Sequence, residues 1–332
     1  PNFSPRRTPS ASRSKSSSDA DTDAMSATGM YELIGANKRN AWLLVGVLGV
    51  ILAAVAGAGG LYVGGADPLP SALLFAAIGI GVAALAGVVS YFSGAEMIMA
   101  ISGAHPANED DQRQLHNILE ELCLAAGLPK PKLYIIEDSA PNAFACGRNP
   151  AHSAVAVTRG LMDKLSRNEL QGVIAHELSH VQNYDILFAT MISILVGSIA
   201  LLCDMLLRSM RWGGRRRSSS SRGGGQAQAL LLVAALVLMI LAPLFAQLLR
   251  LAVSRQREYL ADASGAKMTR DPESLARALE KIANDPEPLE AANRGTQHLY
   301  VVNPLKGRSE FQSWFATHPP IRERVARLRA MT

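Results

Sequence analysis

Cysteine, aromatic residues and charge are all scarce in this chain of 332 residues. It holds three cysteines, an odd number, and no two of them have the C-x-x-C spacing. The sequence therefore favours neither a disulfide framework nor a cysteine zinc site, and reduced thiols are typical of a domain in the cytosol. Aromatic residues make up 5% and charged residues 18%, against 48% hydrophobic residues, which is apolar for a soluble enzyme.

The excess of positive charge follows no continuous stripe. The formal net charge is +5, and many arginines lie in the N-terminal tail, in a loop near residue 215 and at the C-terminus. No nucleic-acid-binding motif accompanies them. We therefore expect no nucleic-acid partner, and we attribute the charge to solubility and to attraction by membrane surfaces.

Four long apolar runs stand out along the chain. They are Trp42–Val63, Leu69–Phe92, Ile186–Leu207 and Leu230–Val253. Each has about 20 residues or more, which is enough to cross a hydrocarbon core of about 30 Å. The first two contain no charge, whereas Asp204 lies in the third and Pro243 interrupts the fourth, so a buried helix stays an alternative for the later pair. We predict four transmembrane helices, with the lipid bilayer as a partner.

The basic residues give two conflicting orientations. Lys38 and Arg39 precede the first run, which indicates a cytoplasmic N-terminus and returns the chain to the cytoplasm before residue 100. The six arginines between the third and fourth runs would then lie on the wrong side if both runs span. Either the later pair does not fully cross, or the orientation is inverted. We expect a multi-pass protein of the cell (inner) membrane whose polar segments outside the apolar runs face the cytoplasm.

Composition divides the chain into five segments. The first, residues 1–34, is rich in Ser and Arg and has almost no apolar periodicity, so we predict a disordered tail. The others are a two-helix transmembrane hairpin (35–94), the first part of a mainly polar domain (95–185), a second hydrophobic pair with an Arg/Gly/Ser-rich loop (186–253), and the second part of the polar domain (254–332).

The polar segments carry the periodicities of a small mixed domain. Helices are predicted at 109–126, 167–184, 254–268, 272–283 and 320–330, and strands at 132–137 and 153–158. Ser166 followed by Glu169 forms a capping box at the start of the second helix. The alternating strand at 153–158 is either an ordinary strand or an edge to which an extended peptide adds, through Val155 and Val157.

One short pattern carries the chemistry. The motif HELSH (176–180) lies on the helix predicted over 167–184. Residues four apart on a helix lie on one face, so His176 and His180 can both bind one metal ion. Glu177, between them, can reach a water on that metal and act as a general base. This is the H-E-x-x-H arrangement of zinc peptidases.

A third ligand is available on the helix predicted after the last apolar run. Glu258 would complete a site of two histidines and one glutamate, with an open position for water. Asp262 lies one turn later and can accept a hydrogen bond from a ligand imidazole, which fixes the tautomer and orientation of that ring. The alternative is an ordinary salt bridge within the helix, for instance with Arg255.

Several separate motifs, taken together, resemble the HtpX family of membrane-bound zinc metallopeptidases. They are PNAFACGRNP (141–150), AVAVTRGLM (154–162), VIAHELSHVQNYDIL (173–187), SRQREYLADASGA (254–266) and THPPIRERVARL (317–328). With the hydrophobic pairs, the resemblance covers about residues 35–332. It implies an α+β, mostly helical, zincin-like domain with a small sheet, on the cytoplasmic face, that cleaves misfolded or membrane proteins in quality control and stress response.

The resemblance also implies roles for single residues. The zinc ligands would be His176, His180 and Glu258, the general base Glu177, and the hydrogen-bond partner of a ligand Asp262. His318 resembles the residue that stabilises the oxyanion or binds substrate backbone, with Arg324 in support. Related prenyl proteases point to Asn142 as a contact with the substrate backbone. Two features depart from the family, the Ser-rich tail and Cys146, where Thr is more frequent.

Three alternatives remain at the level of sequence. A CAAX-type prenyl-protein endopeptidase would use the same zinc chemistry, but such proteins have more membrane spans than the four predicted. A membrane scaffold with a structural zinc would need a fourth protein ligand, and the sequence offers three. A transporter or channel, indicated by Asp204 and the Arg-rich loop, lacks paired intramembrane charges.

Overall fold

The structure, a computed structural model, describes residues 17–63, 67–195, 255–290, 296, 299–301 and 319–331. The third predicted apolar run is described only as far as Leu195. The fourth run, Leu230–Val253, and the Arg-rich loop before it lie outside the described residues. Of the four predicted transmembrane helices, the described residues therefore contain two that are long and apolar enough to cross a membrane, Ile34–Leu61 and Pro68–Ile101.

Two long helices form a hairpin at the N-terminal side of the described chain. They are α1 (Ser17–Val63) and α2 (Pro68–Ile101), and they pack closely along their length. A Cβ at Gly79 would collide with the backbone of Leu52, so the missing side chain lets the two axes approach. Large apolar side chains cover the outside of the hairpin, for example Val50 at 71% and Leu73 at 64% exposure. Such a surface is suited to lipid rather than to water.

Helix α1 begins inside the segment 1–34, whose first 16 residues lie outside the described part of the chain, so the disordered tail stays a prediction. The helix begins at Ser17 and continues without a break into the first apolar run. The described end of this segment is therefore joined to the membrane hairpin by a continuous helix.

A four-stranded mixed sheet follows the hairpin. In chain order it contains β1 (His105–Pro106), β2 (Lys132–Ile136), β3 (Ala143–Asn149) and β4 (His152–Thr158), with α3 (Arg113–Ala126) between β1 and β2. The spatial order is β1-β2-β4-β3, in which β2 and β4 are parallel and the other pairs antiparallel. The predicted strands at 132–137 and 153–158 are confirmed as β2 and β4.

Of the two alternatives for the strand at 153–158, the sheet order favours the ordinary strand over the peptide-binding edge. This strand, β4, pairs with β2 on one side and with β3 on the other, and Val155 and Val157 are fully buried. The edge strand beside β4 is β3, which the sequence did not predict. Its residues AFACGRN include Gly147 and Asn149 and are followed by Pro150, a composition that is typical of a loop.

Six further helices complete the described chain. They are α4 (Arg159–Lys164), α5 (Arg167–Gln182), α6 (Asp185–Leu195, as far as it is described), α7 (Arg255–Thr269), α8 (Pro272–Asn284) and α9 (Ile321–Arg329). Most of them match the predicted helices within a few residues. The central helix is α5, which contacts α3, α7, α8 and β3 and contributes Val173, Ile174 and Leu178 to the main core. A buried, multiply packed helix gives the side chains that it carries fixed positions.

Both ends of α5 have defined chain geometry. At the start, the Ser166 hydroxyl accepts from the N–H of Glu169 and the Glu169 carboxylate accepts from the N–H of Ser166, so the predicted capping box is confirmed. At the other end, Tyr184 has a φ of 60°, which turns the chain directly into α6. The described part of α6 packs against α1 and α2 through buried residues such as Met191 and Ile192. The fold therefore ties α5 to the membrane hairpin.

Candidate metal centre

Three potential metal ligands converge between α5 and α7. His176 and His180 lie one turn apart on α5, and Glu258 lies in the first turn of α7. One ligand atom from each lies within 4.8 Å of the others. The carboxylate oxygens of Glu258 are 3.9 Å from Nε2 of His176 and 3.6 Å from Nε2 of His180. The structure thus brings together the three residues that the sequence assigned to one site.

A glycine allows α7 to come this close to α5. A Cβ on Gly265 would lie 3.0 Å from the backbone nitrogen of His176, which is tighter than ordinary packing. Because Gly265 has no side chain, the two helices approach at the level of the first histidine. This approach places Glu258 opposite both imidazole rings.

Each histidine is oriented by its own carboxylate. Oδ1 of Asp262 lies 3.0 Å from Nδ1 of His176, and Oδ2 of Asp185 lies 2.9 Å from Nδ1 of His180. With both Nδ1 atoms engaged, the Nε2 atoms face Glu258. Carboxylates in this position fix the tautomer of a metal-binding histidine and raise its basicity. Two imidazoles and one carboxylate, held in this way, form a donor set that fits a divalent transition metal.

The sequence reasoning missed Asp185 as a functional residue. Asp185 lies beyond the end of α5, so its position in the sequence does not place it on the helix face of the two histidines. The turn at Tyr184 brings the carboxylate of Asp185 back to His180. Its other oxygen accepts a hydrogen bond of 2.6 Å from Asn37, a residue of α1. Asn37 in turn accepts from Arg257. The sequence did contain one indication that Asp185 is functional, since an acidic residue at the border of a long apolar run is unusual.

The carboxyl group of Glu177 is almost completely buried beside the three ligands. The residue is 2% exposed, and the backbone N–H of Ala145 on β3 donates to its carboxylate. Burial raises the pKa of Glu177 to about 7, and the negative charge of Glu258 acts in the same direction. A carboxyl group with a pKa near neutrality can accept a proton and return it at physiological pH.

Arg324, which the resemblance placed in support of His318 at the substrate, lies buried behind the ligands. Its side chain on α9 has no exposed surface, and its guanidinium donates to both oxygens of Asp262, at 2.8 and 2.6 Å. It also donates to the carbonyl of Val301. Burial would raise the pKa of Asp262, but the charge and hydrogen bonds of Arg324 lower it to about 2. Arg324 therefore keeps ionised the carboxylate that orients His176.

The remaining predicted substrate contacts lie around β3. Asn142 is buried at the start of this strand, where its Oδ1 accepts from the N–H of Ala143 and its own N–H donates to Thr158. Val155 and Val157 belong to the interior strand β4. His318, the predicted oxyanion contact, lies outside the described residues.

Comparison with known proteins identifies one family and several similar sequences. Residues 109–332 match Peptidase family M48. The protein named Protease HtpX homolog from Thermoanaerobacter pseudethanolicus is 44% identical over 308 residues, which cover 93% of this chain and 100% of that protein. The protein of the same name from Dictyoglomus thermophilum is 43% identical over 305 residues, 91% of this chain and 94% of that one.

A solved structure is also similar, at a lower level. The crystal structure of S. mikatae Ste24p has a TM-score of 0.47 and 18% identity, and the match covers 90% of this chain and 67% of that chain. The assignment to a family rests on the sequence matches. They extend over two thirds of the chain or more and include all of the converging ligands. The chain belongs to peptidase family M48, a family of metallopeptidases, and is one of its HtpX-like proteases.

Proposed function

We propose that this protein is a zinc-dependent endopeptidase, with His176, His180 and Glu258 as zinc ligands and Glu177 as the general base. The observation that carries the proposal is the convergence of these ligands within 4.8 Å, with both imidazoles oriented by carboxylates. A zinc ion held there would supply Lewis-acid chemistry, which acidifies water and polarises a peptide carbonyl.

The protein's own residues would perform the proton transfers. Glu177 accepts a proton from the attacking water at its carboxylate and delivers it to the nitrogen of the departing amine. Asp262 and Asp185 hold the two imidazoles so that their Nε2 atoms stay directed into the site. Arg324 keeps Asp262 charged throughout the cycle. Water activation, bond cleavage and amine release thus require the transfer of one proton, which Glu177 carries from the water to the amine.

The ligand count favours catalysis over a structural metal. Within the part of the chain that the structure describes, the potential ligand group has three members, and no fourth His, Cys, Asp or Glu joins it. Structural zinc sites are usually closed by four protein ligands, whereas catalytic sites keep one position open. The adjacent Glu177 would have no purpose in a closed structural site. These points support the enzyme over the scaffold.

Removal of metal tests the zinc dependence. We expect a chelator to lower the rate of casein cleavage by more than about a hundredfold, because the Lewis acid contributes several kcal/mol to the transition state. Adding zinc back should restore the rate, with about one zinc bound per chain. The unfolding temperature of the metal-free protein shows whether it stays folded. Full activity in a folded, metal-free sample would contradict the proposal.

We further infer that an extended substrate pairs with the outer edge of β3 at Ala145, between backbone groups that the protein's own residues already bond. This strand is at the edge of the sheet, and Ala145 at its centre contacts Glu177. The outward N–H of Gly147 and the outward C=O of Ala143 are bonded by Thr190 and Val301. The backbone groups of β3 that point away from β4 therefore belong to every second residue, as strand geometry requires. Strand addition at Ala145 would place the substrate backbone beside the proposed base.

Backbone methylation of a peptide substrate tests the pairing with β3. Methyl groups on substrate N–H groups that face β3 should lower kcat/KM by about tenfold each, since one hydrogen bond is lost and the strand is displaced. Methylation of the intervening N–H groups should have little effect, which provides a matched control in the same peptide. A loss without this two-residue period would show that the substrate does not bind as a strand.

The membrane placement of the site is part of the same proposal. α5 leads directly into α6, which packs on the apolar hairpin of α1 and α2. Asn37 of α1 contacts Asp185, the residue that orients His180. These contacts support a catalytic domain that lies against the membrane. The cytoplasmic side, and the cleavage of membrane or misfolded proteins in quality control, are proposed from the likeness to the HtpX homologs.

Proteoliposomes test the preference for substrates at the bilayer. One unfolded reporter is supplied either anchored in the same vesicles by a transmembrane helix or free in solution. We expect faster cleavage of the anchored reporter, because anchoring raises its effective concentration at the site. Equal rates at equal total concentration would contradict the membrane placement.

A further inference from the structure

A small basic cavity lies beside the end of the second membrane helix. It has a volume of about 110 Å³ and is lined by the end of α2, by β2 and by the hairpin of β3 and β4. Its lining includes Tyr91, Phe92, Lys132 and Arg148. None of the proposed metal ligands lines it, so the peptidase chemistry leaves it without a role.

The position along α2 places this cavity at the edge of the bilayer. Helix α2 has no charged residue from Leu69 to Ala95, and the first 21 residues of that stretch, up to Val89, already span about 32 Å, which is enough for a hydrocarbon core of about 30 Å. Tyr91 and Phe92 follow immediately, and Phe92 is 60% exposed. Aromatic side chains are enriched where the hydrocarbon meets the lipid headgroups. The cavity therefore opens at headgroup level.

The charges of the cavity favour an anion. Three cationic side chains line it, those of Lys130, Lys132 and Arg148, against the single carboxylate of Glu96. Lys132 lies 3.9 Å from Glu96, and Lys130 is paired with Glu120 outside the cavity, at 3.3 Å. The lining thus keeps an excess of positive charge.

Arg148 is the cation that is best placed to bind a ligand. Its guanidinium lies 5.1 Å from the ring centre of Phe92 and 5.7 Å from that of Tyr91, which holds it at the cavity wall. Among the described residues, no carboxylate lies within ion-pair distance of it. The planar fork of an arginine matches the geometry of a phosphate.

We propose that this cavity binds the phosphate of an anionic lipid headgroup, with Arg148 as the principal contact. The aromatic rings would lie against the glycerol and the upper acyl chain, and Lys132 would add a second charge. Binding there would hold the β3–β4 hairpin against the membrane surface. The inference requires that α2 crosses the bilayer, but it does not require the peptidase activity.

Lipid binding to the intact, detergent-solubilised protein tests the site. Native mass spectrometry measures the dissociation constant of the first phosphatidylglycerol and of the first phosphatidylcholine that bind. We expect phosphatidylglycerol to bind more tightly. Arg148→Gln should weaken its binding about fivefold, the effect expected for one basic residue at a membrane surface, and leave phosphatidylcholine unchanged. Arg167→Gln, at the far end of α5 in an exposed pair with Glu121, should bind as wild type does.

Two further arms distinguish the remaining outcomes. Lys132→Gln is a second variant that leaves the core intact, because the Lys132 side chain is 71% exposed. It should weaken the binding of phosphatidylglycerol selectively, but less than Arg148→Gln does. If wild type, Arg148→Gln and Lys132→Gln bind phosphatidylglycerol equally, the site is refuted. If inorganic phosphate displaces the bound lipid as effectively as added phosphatidylglycerol does, the cavity takes a soluble phosphate and the lipid assignment is overturned.

Discussion

Replacing Glu177 by glutamine should lower kcat for the cleavage of unfolded protein by about 10²–10⁴-fold, while the metal stays bound. Glutamine preserves the shape and the contact with Ala145, but an amide cannot accept the proton of water. The metal should remain, because its ligands are His176, His180 and Glu258. A large loss of turnover without a loss of metal separates a general base from a ligand.

The measurement pairs turnover with metal content. Casein cleavage and bound zinc are determined for wild type, Glu177→Gln and Glu120→Gln. Glu120 on α3 has a side chain that is 61% exposed, so its amide variant should have the kcat and the zinc content of wild type. Wild-type turnover in Glu177→Gln would refute the general base, and loss of its zinc would make Glu177 part of the metal's support instead.

Replacing Arg324 by methionine should lower the free energy of unfolding by about 3–5 kcal/mol. Methionine retains much of the apolar length of the side chain but leaves Asp262 as a buried carboxylate without its guanidinium. Breaking one partner of a buried ion pair costs this much because the other charge stays desolvated. The affinity for metal should fall as well, since Asp262 also orients His176.

Two variants isolate the cause of this loss. Arg327→Met, one turn along α9, removes a half-exposed ion pair with Glu323 and should cost less than about 1 kcal/mol. The double change Arg324→Met with Asp262→Asn removes the stranded charge and should recover part of the stability. Denaturant unfolding in detergent compares the four proteins. If Arg324→Met were as stable as Arg327→Met, the buried pair would have no structural importance.

The metal ligands could be predicted because their positions depend on local periodicity. His176 and His180 share a helix face at a spacing of four, and Glu258 and Asp262 repeat that spacing on a second helix. The structure brings both faces together. Sequence could not show that Gly265 permits the close approach of the two helices, because the partner of a glycine is a property of the fold.

The residues that sequence misplaced all depend on long-range packing. Asp185 reaches His180 only through the turn at Tyr184, and Asn37 reaches Asp185 from a helix that lies almost 150 residues earlier in the chain. The alternation of β4 was recognised, but alternation does not reveal whether a strand is at an edge. The edge strand beside it, β3, contains a glycine and an asparagine, which are typical of a loop. Likewise, a cationic residue such as Arg324 shows no sign of complete burial in its sequence.

The most direct test of the account is X-ray absorption at the zinc edge of the purified, zinc-loaded protein. The account predicts two imidazole nitrogens and carboxylate or water oxygens at about 2.0–2.2 Å, with no sulfur ligand. In Glu258→Gln the spectrum should change or the zinc should be lost, while Glu177→Gln should match wild type. A sulfur at about 2.3 Å, or a first shell that does not respond to the change at Glu258, would contradict the assignment of the metal centre.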